Sequence, residues 1–301
     1  MKFPSAIFAV FLAIPTLVPA QATPPPRPFI TGVAQVSVYA SDMAKSRHFF
    51  GEFLGFPESG TKSQRYRVNA RQTIVVDPLP SGVSNYLESI GFATPDAEAM
   101  RRYLLAKGIQ VPDQVRRGPG GSRLFWMKDP EGHRIEFIQL GPNKARFVPV
   151  AAGVQPISHK ILHAGFIVHD RDAENHFFRD ILGFRQAWEG GMTDQKTDWV
   201  DMQVPNGGDW IEYMLHGPAP ASASLSGVLN HFALGVKNVH QAADVLRQRG
   251  WHSSPREKAQ MGRDGKWQLN LYDPDGTRVE LMEFRPVQTP CCSPYTLPIP
   301  K

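Results

Sequence analysis

The sequence predicts an α+β fold built from four copies of one unit: a strand, a helix and then three strands. Three observations predict it. A helix signature recurs 128 residues apart, with Asp42-Met43-Ala44 leading through His48-Phe49-Phe50 to Leu54-Gly55-Phe56, and Asp170-Arg171-Asp172 leading through His176-Phe177-Phe178 to Leu182-Gly183-Phe184. A hairpin signature also recurs, as Asp129-Pro130-Glu131-Gly132 and Asp273-Pro274-Asp275-Gly276. Runs of alternating apolar residues precede the helices, and alternation is the mark of a half-buried strand.

The elements follow in order. Lys2, the apolar run from Ala6 to Ile14 and the small-x-small set Ala20-Gln21-Ala22 read as a cleavable export signal over residues 1–22. That run is too short to span a bilayer, which takes about 20 apolar residues. Export to the periplasm or the outside is the expectation. Residues 23–29 form a Pro-rich leader, extended because proline fixes φ. The first two units, over 30–84 and 85–142, make one half. In unit one, a polar residue caps a helix carrying paired aromatics, and Leu-Gly-Phe turns the chain into the next strand. In unit two, the helix ends at Lys107-Gly108, and Asp-Pro-x-Gly closes a hairpin because Pro presets φ and Gly tolerates φ > 0. Residues 143–157, with prolines and small side chains, are the linker. Units three and four, over 158–218 and 226–286, repeat the pattern, joined by the short connection Gly217-Pro218-Ala219-Pro220-Ala221-Ser222. Residues 287–301 are a tail holding both cysteines, Cys291 and Cys292. The plainest reading of that pair is an exposed tail with thiols of no catalytic role; a vicinal or interchain bridge and a soft-metal contact are the alternatives. Two adjacent cysteines provide no disulfide framework for the core.

The net charge of +5 is modest, and no Lys/Arg stripe interleaves with aromatics, so the chain has no footprint for nucleic acid. No other stretch is apolar enough to cross a membrane. A small-molecule substrate is the expected partner.

With this order of repeated motifs, the chain resembles the vicinal oxygen chelate superfamily over roughly residues 30–286. That superfamily includes glyoxalase I, methylmalonyl-CoA epimerases, extradiol dioxygenases and the bleomycin- or fosfomycin-resistance proteins. The resemblance implies two tandem domains, each pairing two βαβββ modules into a cupped mixed sheet, with a divalent metal inside the cup. Four modules per chain permit a monomer and leave a dimer open.

Four residues of the second half form the candidate metal set: His163, Glu212, His231 and Glu280, at gaps of 49, 19 and 49 residues (163 to 212, 212 to 231, 231 to 280). Two imidazoles and two carboxylates are a mixed nitrogen and oxygen shell suited to Zn, Ni, Fe, Mn or Co. Strand parity supports the set, since successive side chains alternate faces. Leu162, Ala164, Phe166 and Val168 oppose His163; Ile211, Tyr213 and Leu215 oppose Glu212; Phe232, Leu234 and Val236 oppose His231; Val279 and Leu281 oppose Glu280. In the first half Gln35, Ser89 and Glu136 align with His163, His231 and Glu280, and no acid stands between Thr73 and Val76, so that cup reads as metal-free.

The resemblance to glyoxalase I implies metal-assisted proton transfer on an oxygen-chelating substrate, with Glu280 and Glu212 as the catalytic carboxylates. Glyoxalase I acts on a glutathione adduct made in the cytosol, which an exported chain would not meet. An extradiol dioxygenase is the alternative: its triad matches His163, His231 and Glu280 without Glu212, but the tyrosine it carries about ten residues before the final Glu is Asn270 here. A metal-free binder of the bleomycin-resistance type is a third reading. Trp199, Trp210, Trp267 and Met282 are candidate pocket walls. Arg263, Asp264 and Lys266 could anchor an anionic substrate. His169 reads as a rim residue, and His48 and His176 as helix-face histidines.

Overall fold

The computed structural model describes residues 25–60, 63–142, 146–219, 221–252, 254 and 258–298; the segment read as an export signal lies outside them. The first unit is β1 (Gly32–Ala40), α1 (Met43–Arg47), β2 (Glu58–Ser59), β3 (Gln64–Arg67) and β4 (Thr73–Pro78). The second is β5 (Leu87–Ala93), α2 (Ala97–Ala106), β6 (Arg116–Arg117), β7 (Arg123–Lys128) and β8 (Arg134–Gln139). The third is β9 (Ile161–Val168), α3 (Arg171–Asn175), β10 (Arg185–Gly190), β11 (Trp199–Gln203) and β12 (Trp210–Leu215). A short helix, α4 (Ala223–Leu229), precedes the fourth: β13 (His231–Val236), α5 (Val239–Gln248), β14 (Gln260–Met261), β15 (Trp267–Tyr272) and β16 (Arg278–Glu283).

Local chemistry explains the repeated elements. Asp42 caps α1 by accepting from the backbone N–H groups of Ala44 and Lys45, and Asp170 caps α3 through Ala173. Both helices widen into a π-helical turn over the paired aromatics, at His48–Phe53 and His176–Ile181. Gly55 and Gly183 then take φ of 81° and 77°, the left-handed exit that ends a helix. At the hairpins, Asp129 Oδ1 accepts from the N–H groups of Glu131 and His133, and Asp273 Oδ1 from those of Asp275 and Thr277. These Asx turns fix both returns.

Each half is one eight-stranded mixed sheet, curled into a half-barrel, in the orders β2-β3-β4-β1-β5-β8-β7-β6 and β10-β11-β12-β9-β13-β16-β15-β14. In each, the first strands of two units meet antiparallel, and each first strand runs parallel to the last strand of its own unit. The four central strands of the second sheet are therefore β12, β9, β13 and β16, the strands that carry the candidate ligands.

One core runs through both halves. The second aromatic of each helix pair reaches the sheet of the other half: Phe50 stacks on Phe232 at 6.5 Å, and Phe178 meets Phe92 at 6.4 Å. A polar knot reinforces this contact. Buried Asp209 accepts from Val33 N–H at 2.8 Å and pairs with Lys160, while Gln72 bonds the carbonyls of Val33 and Ile161.

The structure adds two features to the sequence reading and corrects a third. The connection between units three and four runs into a helix, α4, capped by Ser222. The linker is more than a tether, since Val148 pairs antiparallel with Glu58 and extends the edge of the first sheet. A register shift between β9 and β13 puts Ile161 in the main core and Leu162 with Trp210, Ala233 and Met282 on the cup side, reversing the parity assigned to Leu162.

Candidate metal centre

Two rows of side chains cross the floor of the second cup. In one, Trp210, His163, Ala233 and Glu280 are register neighbours across β12, β9, β13 and β16. In the next, Asp201, Glu212, Gly165 and His231 follow one another across β11, β12, β9 and β13. The small residues Gly165 and Ala233 leave space at the centre, and the four candidate side chains lean over it. Gly165 is indispensable to this: a Cβ there would lie 2.1 Å from His231 Cε1.

The four groups converge. His163 Nε2 lies 3.1 Å from His231 Nε2. Glu212 Oε2 lies 3.2 Å from His231 Nε2 and 3.9 Å from His163 Nε2. Glu280 Oε2 lies 3.6 Å from His163 Nε2 and 3.9 Å from His231 Nε2. Donors bonded to one ion at about 2.1 Å sit roughly 3.0–4.2 Å apart, and all five separations fall in that interval. His163, Glu212 and His231 also meet as a set whose donor atoms are mutually within 4.8 Å. Glu280 joins through the imidazoles.

Burial tunes these groups. Both histidines are fully buried, and desolvation drives their imidazolium forms well below the ordinary range, so the rings are neutral donors. His231 Nδ1 donates to the Leu229 carbonyl at 2.8 Å, which leaves Nε2 as the bare nitrogen. Desolvation pushes the Glu280 carboxyl up to about 8, with Arg278 opposing. Two imidazoles and two carboxylates this buried fit a divalent cation, which compensates the acids without needing their protons. Arg278 Nη2 donates to His231 Nε2 at 2.8 Å, so this guanidinium has to swing aside when that nitrogen binds a metal.

One neighbour escaped the sequence reading. Asp201 is buried across from Glu212, and burial together with that carboxylate holds its own carboxyl well above the usual range. Its alternation with Val200 and Met202 carried the same parity signal as Glu212. Lys266, a candidate anion anchor from the sequence, is 2% exposed and paired with buried Asp264 at 3.0 Å. Its ammonium lies over Trp210 at 4.6 Å and over Tyr295 at 5.1 Å. Of the proposed pocket walls, Trp210 packs on His163 at 5.0 Å and Met282 lies beside it, whereas Trp267 packs on His240. Arg263 is taken up by Asp194 and the Gly191 carbonyl. His169 bonds Glu131, and exposed His48 and His176 bond Glu52 and Asp180.

The tail is not free. It lies along β10, with Ser293 bonding the backbone of Glu189 and Thr296 that of Ala187. Tyr295 donates to Asp264 at 3.1 Å, and residues 291, 293, 295 and 297 face inward while those between are exposed. Cys291 and Cys292 are bonded to each other. Tyr295 and Leu297 of the tail line a small cavity of about 20 Å³ together with Asp201, Trp210 and Lys266.

A family model described as the glyoxalase/bleomycin resistance protein/dioxygenase superfamily matches residues 32–137 and 160–281, once per half. The chain belongs to that superfamily. Among curated members, it is 25% identical over 224 residues to lactoylglutathione lyase GLX1 of Arabidopsis thaliana, covering 67% of this chain and 70% of that one. It is 24% identical over 213 residues to a protein named as a lactoylglutathione lyase in Brassica oleracea var. gemmifera, with the same coverage. Among solved structures, variants of homoprotocatechuate 2,3-dioxygenase from Brevibacterium fuscum superpose with TM-scores of 0.66 and 0.67 at 19% identity, over 86% of this chain and 72% of theirs. That likeness is one of fold: tandem superfamily domains with paired modules.

Proposed function

We propose that this chain is an exported, metal-dependent enzyme of the glyoxalase type, moving a proton on a small substrate that presents two adjacent oxygens. The observation that carries the reading is the approach of a second carboxylate, Glu212, to the His163–His231 pair at 3.2 Å. It completes a four-residue donor set where the dioxygenase reading needs three. The sequence likeness to lactoylglutathione lyases supports the same side.

A divalent ion held by His163, Glu212, His231 and Glu280 supplies Lewis acidity toward a carbonyl oxygen of the substrate. The protein's own groups do the rest. Glu280, a buried carboxylate on the floor of the cup, takes a proton from carbon and returns it. Glu212, on the opposite strand of the same cup, is the second proton carrier, flanked by Asp201. Trp210 and Met282 exclude water from the side of His163. Lys266, held over Trp210, and Arg278, beside His231, are the cations at hand for charge that develops on substrate oxygen.

The test is metal analysis of the purified protein, then a screen of α-hydroxy- and α-keto-carbonyl compounds without oxygen. Glu212→Gln and Glu280→Gln are each expected to lower kcat by about 10²-fold or more. Oxygen consumption on catechols, strictly dependent on Fe(II) and retained in Glu212→Gln, would replace this reading with a ring-cleaving dioxygenase. For export, intact mass of the mature protein should begin near Thr23 in a periplasmic or secreted fraction; an unprocessed chain in the cytosol would overturn it.

A further inference from the structure

The first cup holds a cavity of about 800 Å³ that the chemistry of the second does not use. Register shows what stands in place of the ligands there. Gln35 faces Thr73 as His163 faces Trp210, and Glu136 flanks Gly91 as Glu280 flanks Ala233. Arg65 lies across from Val75, where the second cup places Asp201 across from Glu212. One cup gathers acids for a cation; the other presents a cation of its own.

That cation is short of a partner. Arg65 Nη2 donates to Gln35 Oε1 at 2.8 Å, and among the described residues no carboxylate lies within 4.0 Å of its guanidinium. Of the neighbouring charges, Arg134 pairs with Glu88 at 3.1 Å and with Glu136 at 2.9 Å, and Arg67 lies over the Phe147 ring at 5.1 Å; Asp77 accepts the Ser63 hydroxyl but keeps its charge and acts on Arg65 only from beyond 4.0 Å. A guanidinium never loses its proton in a protein, so desolvating one without a partner is costly. Burial works against the charged form of Arg65, and Asp77 and Glu136 offset it only in part, from a distance.

We propose that the first cup binds a small organic monocarboxylate, its carboxylate on Arg65 and its apolar body against Val75, Leu124, Ile138 and Phe147. The planar fork of arginine matches a carboxylate in two parallel hydrogen bonds. Asp77, Glu88 and Glu136 line the same cavity, so a phosphate dianion meets like charge where a monoanion meets less. The volume is that of a small-molecule site, roughly 300–1,000 Å³.

Calorimetric titration of the full chain tests this, after chelation and dialysis so that no carboxylate binds through a metal. Benzoate and hexanoate are expected to bind one per chain, with benzamide at least tenfold weaker. Arg65→Gln should weaken benzoate at least tenfold, and Thr73→Trp, which fills the cup while leaving the guanidinium, should abolish binding even if Arg65→Gln fails to fold. The proposal is overturned if no carboxylate binds, if inorganic phosphate binds as tightly as benzoate, or if Thr73→Trp leaves binding intact.

Discussion

Gly165→Ala isolates the geometry of the proposed metal centre without touching a ligand. The added Cβ would lie 2.1 Å from His231 Cε1, 2.5 Å from Nδ1 and 2.9 Å from Nε2. Non-bonded carbons settle at about 3.5 Å or beyond, so the ring has to give by roughly 1.4 Å. It has little freedom to do so, because Nδ1 is tied to the Leu229 carbonyl at 2.8 Å and the ring is fully buried. Metal–ligand distances tolerate only about ±0.2 Å, so His231 is lost as a donor. Disturbing a group that merely orients a ligand costs 10–100-fold in affinity; displacing the ligand itself should cost at least ~100-fold, or about 2.8 kcal/mol. The assay is a competitive chelator titration of Zn(II) and Ni(II), with circular dichroism to show the fold is kept. Ser37→Ala is the control: Ser37 faces Ser89 in the first cup, as Gly165 faces His231 in the second. Its affinity should match wild type. If Gly165→Ala binds metal within threefold of wild type, His231 is not a ligand and the centre as drawn is wrong.

Other outcomes follow from the same structure. Removing residues 287–301 should speed loss of bound metal to EDTA at least tenfold, because Tyr295 and Leu297 pack beside Asp201, Trp210 and Lys266 next to the site; an unchanged rate would show that the tail covers nothing relevant. Glu174 is fully buried, and desolvation together with Asp129 pushes its carboxyl up to about 9. A carboxyl raised on folding stabilises most below its ordinary pKa, and that stability is lost as pH rises through about 9. Wild type should therefore lose stability between pH 6 and 9.5, by at most about 1.4 kcal/mol per pH unit. Glu174→Gln should flatten the slope in thermal melts, and equal slopes would refute the assignment. Lys160→Met leaves Asp209 buried without its cation. It should cost about 2 kcal/mol in urea unfolding, less than the ~3–5 of a fully buried pair because Lys160 is partly exposed. Asp209→Asn in the same background should recover most of that loss.

The sequence by itself determined whatever is written in local chemistry. The capping aspartates Asp42 and Asp170, the glycine exits at Gly55 and Gly183 and the Asp-Pro-x-Gly turns each act within a few residues, and their repetition fixed the four units. Parity placed His163, Glu212, His231 and Glu280 on one kind of face, because alternation is a property of a single strand. Asp201 was legible by the same signal. Tertiary structure decided the rest, because it depends on register and on contacts between distant segments. The shift between β9 and β13 turned Leu162 toward the cup. Lys266 came to lie over Trp210 only through the pairing of β14, β15 and β16, whereas Arg278 already shared the parity of Glu280 in the sequence. The tail's path along β10 and the placing of Phe50 and Phe178 on the opposite sheets carry no local mark. Nor does the lone guanidinium of Arg65 facing an open cup: a charge is visible in sequence, but whether it is paired depends on which strands lie beside it.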